Sequence, residues 1–330
     1  MRNYLKGVIH QLSLVLMLCA LLGVGACSSP QLPEPTTYPA TTTLLVEPPS
    51  NQHVTLHLIL IADTDDESIG ESTRIDLGNM QKLMREIAKQ SVGRIVLKPL
   101  IRDQRITNQE LLNILTRLRT QPRDIIVFHW AGHGHGSSES KWPYLETATQ
   151  TTDFTKVIKI LNSKNVRQII ALADCCNAPL INTREMHAPR LMRRQYFFPK
   201  NIEKMFILPK IRIIASGSKT GQNAFGTNSL GGYFTYNFLI TLEEALLDDN
   251  NPDSAWDKVM RTTRERVLFD TQNEQTPQYE INPFIGREPL NTANKDNIEE
   301  IQGKTGNSDV INKDMGGIGG FDQLMDKILR

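Results

Sequence analysis

Two short stretches carry the residues able to do chemistry. Val166 to Asn177 reads V-R-Q-I-I-A-L-A-D-C-C-N, an apolar run that stops at an acid and two thiols. Asp124 to Gly136 reads D-I-I-V-F-H-W-A-G-H-G-H-G, a second apolar run ending in a glycine-rich turn that carries His133. A thiol becomes a strong nucleophile when a neighbouring base takes its proton, and imidazole is the usual base near neutral pH. Acyl transfer also needs backbone N–H groups aimed at the developing oxyanion. With Cys176 as nucleophile, His133 would take its proton and later protonate the leaving amine. The N–H groups of Gly134 and Cys176 would then hold the oxyanion, and glycine at 132 and 134 lets the backbone turn sharply beside a substrate carbonyl.

Such residues need a scaffold that brings two strand ends together. Ile169 to Ala173 is continuous and apolar, as in a strand of a parallel sheet buried on both faces, and ligands of open α/β sheets bind at the carboxyl edge. The flanking pattern supplies the rest. Val54 to Ala62 predicts a strand, followed by an acidic loop with Asp63, Asp65, Asp66 and Glu67. Met80, Leu83, Met84 and Ile87 predict an amphipathic helix to about Lys89. Ile95 to Leu97 predicts a short strand, and Thr107 with Glu110 a capping box opening a helix faced by Leu111, Leu112, Leu115 and Leu118. After the strand at Asp124 to Trp130 comes a polar loop, then a helix marked by Phe154, Val157, Ile158 and Leu161. Ala178 to Lys210 has no clear period, and Ile211 to Ala215 resumes as a strand. Phe234, Phe238, Leu242 and Leu246 mark one further helix, and Trp256, Val259, Met260, Thr263 and Val267 another. Alternating strands and helices predict an α/β fold: an α/β/α sandwich with a mostly parallel central sheet. The predicted domain runs over residues 53–290.

The ends read differently. Residues 1–26 have Arg2 and Lys6, an apolar run from Leu12 to Leu22, then small residues, the pattern of a secretory signal too short to span a bilayer. Val24-Gly25-Ala26-Cys27 looks like a bacterial lipobox, which implies a lipidated Cys27 and a lipid anchor in the cell envelope, facing the periplasm from the outer membrane if there are two membranes. Residues 27–52, rich in Pro, Thr and Ser, predict a flexible tether, and residues 291–330 a polar, disordered tail with a short helix at Phe321 to Leu329. The net charge of +1 becomes −1 once Arg2 and Lys6 are removed. That balance gives no reason to expect nucleic acid as a partner. After cleavage and lipidation only Cys175 and Cys176 remain as thiols, too close in sequence to staple a domain, although a strained vicinal bridge is open to them.

A-G-H-G after one strand, D-C-C after the next long one, A-S-G-S at Ala215 to Ser218 and G-G-Y-F-T at Gly231 to Thr235 together resemble the caspase and metacaspase family of cysteine peptidases. His133 and Cys176 are 43 residues apart, near the ~50 that separate His from Cys in caspases. The resemblance spans roughly Val54 to Leu290, with Gln275-Thr276-Pro277-Gln278 similar to the segment that closes the domain in bacterial members. It puts the nucleophile on Cys176 rather than Cys175 and matches Asp174 to the metacaspase acid that binds a basic side chain. That implies protein or peptide substrates cut after Arg or Lys, since a carboxylate pairs a guanidinium in a fork. Asp65, Asp66 or Glu71 are candidates for a second acid. Metacaspases usually continue His-Ser-Gly where this chain has Asn177, Ala178 and Pro179, a departure that puts the loop geometry and an inherited dependence on calcium in doubt; the resemblance implies no required cofactor, with calcium as a possible one. By analogy with the caspase linker, Arg190, Arg193 and Arg194, in a segment that also holds Arg184, are candidate self-processing sites. Legumain-like peptidases share the His-Gly and later Cys.

Two other classes compete. His129, His133 and His135 with a nearby cysteine have a spacing that suggests zinc, although His129 falls inside a strand; His53 and His57 read as ordinary sheet residues. A catalytically inactive lipoprotein using the fold as an envelope binding module is the alternative function.

Overall fold

The computed structural model describes residues 53–178, 196–250 and 255–283. The signal at 1–26 with Cys27, the tether at 27–52, Pro179, Arg184, Arg190, Arg193 and Arg194, and the tail at 291–330 lie outside the described residues.

The core is a six-stranded sheet in the order β11-β8-β7-β3-β1-β2. Its strands are β1 (Val54–Ala62), β2 (Ile95–Arg102), β3 (Ile125–Ala131), β7 (Gln168–Asp174), β8 (Ile211–Ser216) and β11 (Gln278–Pro283). The first five are parallel and β11 closes one edge antiparallel to β8. The mostly parallel sandwich expected from the alternating pattern is therefore the fold observed.

Alternation along each strand feeds two cores. Leu56, Leu58, Leu60, Val127 and Leu172 face one side, where α1 (Gly70–Gln90), α5 (Tyr233–Leu247) and α6 (Ala255–Asp270) pack. Ile59, Ile61, Phe128, Ala171 and Cys175 face the other, against α2 (Asn108–Arg117) and α3 (Phe154–Asn162). The helical stripes read from sequence are the buried ones: Met80, Leu83, Met84 and Ile87 in α1, and Phe154, Val157, Ile158 and Leu161 in α3.

Several elements depart from expectation for physical reasons. β2 runs five residues beyond Leu97, through Pro99. It is the sheet's edge, where a missing N–H costs no ladder bond. Only half of the capping box forms: Thr107 accepts from the Glu110 N–H at 3.1 Å, while the Glu110 carboxylate turns to Arg102 at 2.8 Å. The polar loop after β3 is a small antiparallel sheet of β4 (Gly134–Ser137), β5 (Ser140–Glu146) and β6 (Thr151–Asp153), which buries Trp142 and Leu145 under polar neighbours. Part of the segment without period is helical after all, as α4 (Pro199–Ile202) and a π turn at Glu203–Ile207. A π turn follows no 3.6-residue repeat, so its buried Met205, Phe206 and Ile207 left no helical signature. A two-residue ribbon of β9 (Gly226–Thr227) and β10 (Gly231–Gly232) leads into α5.

Candidate active site

Strand register decides what can meet at the carboxyl edge. β3 and β7 are neighbours with Ala131 opposite Asp174, and the Gly132 N–H donates to the Asp174 carbonyl at 3.3 Å. His133 and Cys176 thus leave the sheet at the same level from adjacent strands.

The two cysteines differ in surroundings. Cys175 is only 2 % exposed, packed in the core on the α2 and α3 side. A Cβ on Gly134 would stand 2.6 Å from its sulfur, which is why position 134 has none. Burial, then the neighbouring charges of Cys176, Asp174 and Glu146, push the Cys175 thiol well up. Cys176 is half-buried, and both thiols are free, with no vicinal bridge. The Cys176 Sγ accepts from the Ala224 N–H at 3.3 Å and lies 3.7 Å from the Ala224 carbonyl oxygen. Burial raises this thiol too; the Ala224 N–H works against the rise, and Asp174 and Glu146 add to it. Both thiols are thus pushed toward their protonated forms.

His133 faces the loop after β1. Its Nε2 lies 3.3 Å from Asp66 Oδ2 and 3.4 Å from Ser68 Oγ, while Trp130 Nε1 donates to its carbonyl at 3.3 Å. Among the described residues, the thiol bonds to the loop after β8 and the imidazole contacts the loop after β1, with no hydrogen bond between them. Such contacts tighten commonly only with substrate in place. The Glu146 N–H donates to the His133 carbonyl at 3.1 Å and Gly134 is opposite Leu145, so ladder alternation turns the Gly134 N–H away from β5.

Asp174 points to the other face, into the first turn of α5. Its Oδ2 accepts from the Thr235 N–H at 2.9 Å and the Thr235 hydroxyl at 2.7 Å, capping that helix from a neighbouring strand. Burial lifts Asp174 to about 6, with the Thr235 bonds pulling the other way. Beside it is an acid that the sequence reading did not single out. Asp76 on α1 is buried, accepts from the Gly232 N–H at 3.0 Å through both oxygens, and is raised well above the carboxylate range by burial and then by the charge of Asp174. The glycine motifs make room for this pair: a Cβ on Gly217 or Gly232 would stand 2.7 or 2.2 Å from an Asp174 oxygen, and one on Gly231 would stand 2.0 Å from Asp76.

The candidates for a second acid are engaged elsewhere. Asp65 accepts from the Arg105 N–H, Asp66 contacts Ser68, Arg105 and His133, and Glu71 pairs with Arg74. One available signal pointed to Asp76: it occupies the slot four before Met80 on the apolar stripe of α1.

The histidines do not converge. His129 is fully buried with Nε2 2.9 Å from the Thr235 hydroxyl, and burial pushes it down to about 3. His135 stacks on Tyr144 with ring centroids 5.4 Å apart and reaches Glu146 at 3.4 Å. His57 pairs with Asp124 at 2.9 Å, and His53 meets the Gly93 carbonyl at 2.7 Å. No group of three or more His, Cys, Asp or Glu among the described residues could hold a metal ion, zinc at the histidines included.

The residue after Cys176 has a structural task. Asn177 is fully buried; its side chain donates to the carbonyls of Lys141 at 3.1 Å and Ser218 at 3.4 Å, and its N–H donates to Gln222. The Gln275 to Gln278 segment adds two buried ties. Gln275 donates to the Gly217 carbonyl at 2.9 Å and accepts from the Phe225 N–H at 2.8 Å, so it braces the loop that holds Ala224 against Cys176.

Solved structures with a related outline include a protein of Geobacter sulfurreducens and caspase-1 of Spodoptera frugiperda. The first is 12 % identical, with 70 % of this chain and 93 % of that one covered and a TM-score of 0.41. The second is 11 % identical, with 70 % and 87 % covered and a TM-score of 0.45. No curated protein matches the chain. The caspase domain family model matches residues 70–285. That span, well over half the chain, holds both thiols, His133, both buried acids and every glycine of the cradle, and the chain belongs to the caspase domain family.

Proposed function

We propose that the protein is a cysteine-type endopeptidase that cuts after Arg or Lys. The Cys176 Sγ attacks the scissile carbonyl as its proton passes to His133. The N–H groups of Gly134 and Cys176 hold the oxyanion, and the tetrahedral intermediate collapses as the imidazolium protonates the leaving amine. Water then hydrolyses the thioester with His133 as base, releasing the acid and restoring the thiol. Asp174, joined by Asp76, receives the basic side chain before the cut bond.

The observation that carries this reading is the pair of buried carboxylates set in a glycine cradle, one of them two residues from the half-buried Cys176 thiol. Burial disfavours their charge, and a guanidinium or ammonium arriving between them relieves it. Lipidation at Cys27 would hold the enzyme in a bacterial envelope, and Arg190, Arg193 and Arg194 would be sites of self-cleavage. The test is turnover of fluorogenic peptides ending in Arg or Asp by the full chain in detergent, with Cys176→Ala and Cys175→Ala, in calcium and in EDTA. Arg cleavage abolished by Cys176→Ala alone is the expected result; equal activity of the two variants defeats the assignment.

A second reading has one observation in its favour. The Cys176 sulfur is tied to Ala224, not to His133. An inactive envelope binding module would keep it so, and Cys176 would then resist alkylation in the folded protein.

A further inference from the structure

We propose that Asp66, braced by Ser68 and Arg105, is the positioning residue of His133 and fixes which ring nitrogen acts as the base. This rests on the peptidase reading of Cys176 and His133. It does not come with the family match, which begins at residue 70, after the loop that carries Asp66.

Hydrogen counting sets the tautomer. Ser68 Oγ has one hydrogen and donates it to Asp66 Oδ1 at 2.6 Å. Toward His133 Nε2, 3.4 Å away, Ser68 can then only accept. Asp66 Oδ2, 3.3 Å from the same nitrogen, is also an acceptor when ionised. Two acceptors around one ring nitrogen require it to carry the hydrogen. In the neutral ring Nδ1 is then the lone-pair base available to the Cys176 proton.

Asp66 is held ionised and still. Burial by itself would raise its carboxyl. The Ser68 hydroxyl, the Ser68 N–H at 2.8 Å, the charge of His133 when its ring is protonated and the Ile69 N–H at 3.2 Å outweigh that and hold it well below the usual range. Arg105 grips Oδ2 at 2.8 Å and Asp63 at 2.6 Å. Asp63 follows β1 directly, and its N–H donates to the Ala131 carbonyl at the end of β3. A rigid path therefore runs from the sheet through Arg105 and Asp66 to the ring. When His133 takes the thiol proton, the carboxylate at Nε2 also steadies the new imidazolium.

The test uses the full chain with Asp66→Ala, Asp66→Asn and Ser68→Ala, and the exposed neighbour Glu67→Gln as a control for loop charge. Steady-state rates on an Arg peptide are read beside the ¹⁵N spectrum of His133 in labelled protein. Asp66→Ala is expected to lower kcat about 10- to 100-fold with KM within about twofold, and Ser68→Ala less. Wild-type His133 should show the Nε2–H form, and Asp66→Ala a mixture of tautomers. Unchanged kcat in folded Asp66→Ala, or a hydrogen on Nδ1 in the wild type, overturns the proposal. Absence of cleavage by the wild type sinks the peptidase reading instead, and the tautomer still decides the role of Asp66 because it needs no turnover.

Discussion

Two groups of carboxylates stand at the carboxyl edge of this sheet, and they differ in what balances them. In the loop after β1, Arg105 lies against Asp63 and Asp66, and its N–H holds Asp65. Hydrogen bonds keep Asp65 and Asp66 below the carboxylate range, although burial still lifts Asp63. Around Asp76 and Asp174, among the described residues, only N–H and hydroxyl groups of the turn into α5 bond to the oxygens, and both acids are raised. No basic side chain among the described residues pairs with either. Acids with a resident cation orient other groups, while acids held by neutral donors keep affinity for a cation that comes and goes.

The largest effect expected from this contrast is on specificity. Asp174→Asn should reduce kcat/KM for an Arg peptide by about 10³-fold or more, as when a buried partner of a charged group is lost. Arg105→Met should leave the preference for Arg over Asp peptides intact even if the rate falls. A change of preference in Arg105→Met would mean that the two acidic groups share one task.

Next comes the cradle. Gly231 has a φ of +89°, and a side chain there would also stand 2.0 Å from Asp76. Overpacking together with left-handed backbone strain predicts a loss of about 3 kcal/mol for Gly231→Ala. Gly221, with a φ of +84° but nothing within 4 Å, should lose only the backbone share, about 1 kcal/mol. Chemical denaturation of both separates crowding against the acid from strain alone.

Legibility in the sequence followed the same contrast. The ends of β3 and β7 could be read because continuous apolar runs stop abruptly at polar residues, and parallel topology puts such ends on one edge. Asp174 shares that signal. Asp76 does not, because it lies inside a helix, where one acid on an apolar stripe looks like a break in the pattern. Nothing local separates Asp66 from Asp63, Asp65 and Glu67; the choice is made by Arg105 and Ser68 in three dimensions. β11 was missed because none of its residues is fully buried and polar ones interrupt it, and β4 to β6 because paired polar strands carry no apolar period.

Stability should depend on pH through Asp174 in a direction opposite to most carboxylates. Its folded pKa, about 6, lies above the ordinary 3.8, so the folded state keeps the proton longer than the unfolded chain. The resulting stability is full below about pH 4 and is lost as pH rises through 6, on the order of 3 kcal/mol. Asp174→Asn is therefore expected to melt higher than wild type at pH 7.5 and to converge with it near pH 4, even as activity disappears. A variant that melts lower at pH 7.5 would show that the cap on α5 needs the charge.

The smallest effect tests the neutral donors themselves. The Thr235 hydroxyl gives its one hydrogen to Asp174, so toward His129 it accepts, which puts the hydrogen on His129 Nε2. This bond favours the charged form of Asp174 and lowers its pKa against the pull of burial. Thr235→Val removes it with little change of volume and should push Asp174 further up. The loss, about 1–2 kcal/mol, belongs to the ionised acid. It should be full at pH 7.5 and shrink below pH 6, and KM for an Arg peptide should rise severalfold with kcat unchanged. A loss equal at pH 4 and 7.5 would assign Thr235 to packing and to its bond with His129, and leave the N–H groups of the turn as the donors that matter to Asp174.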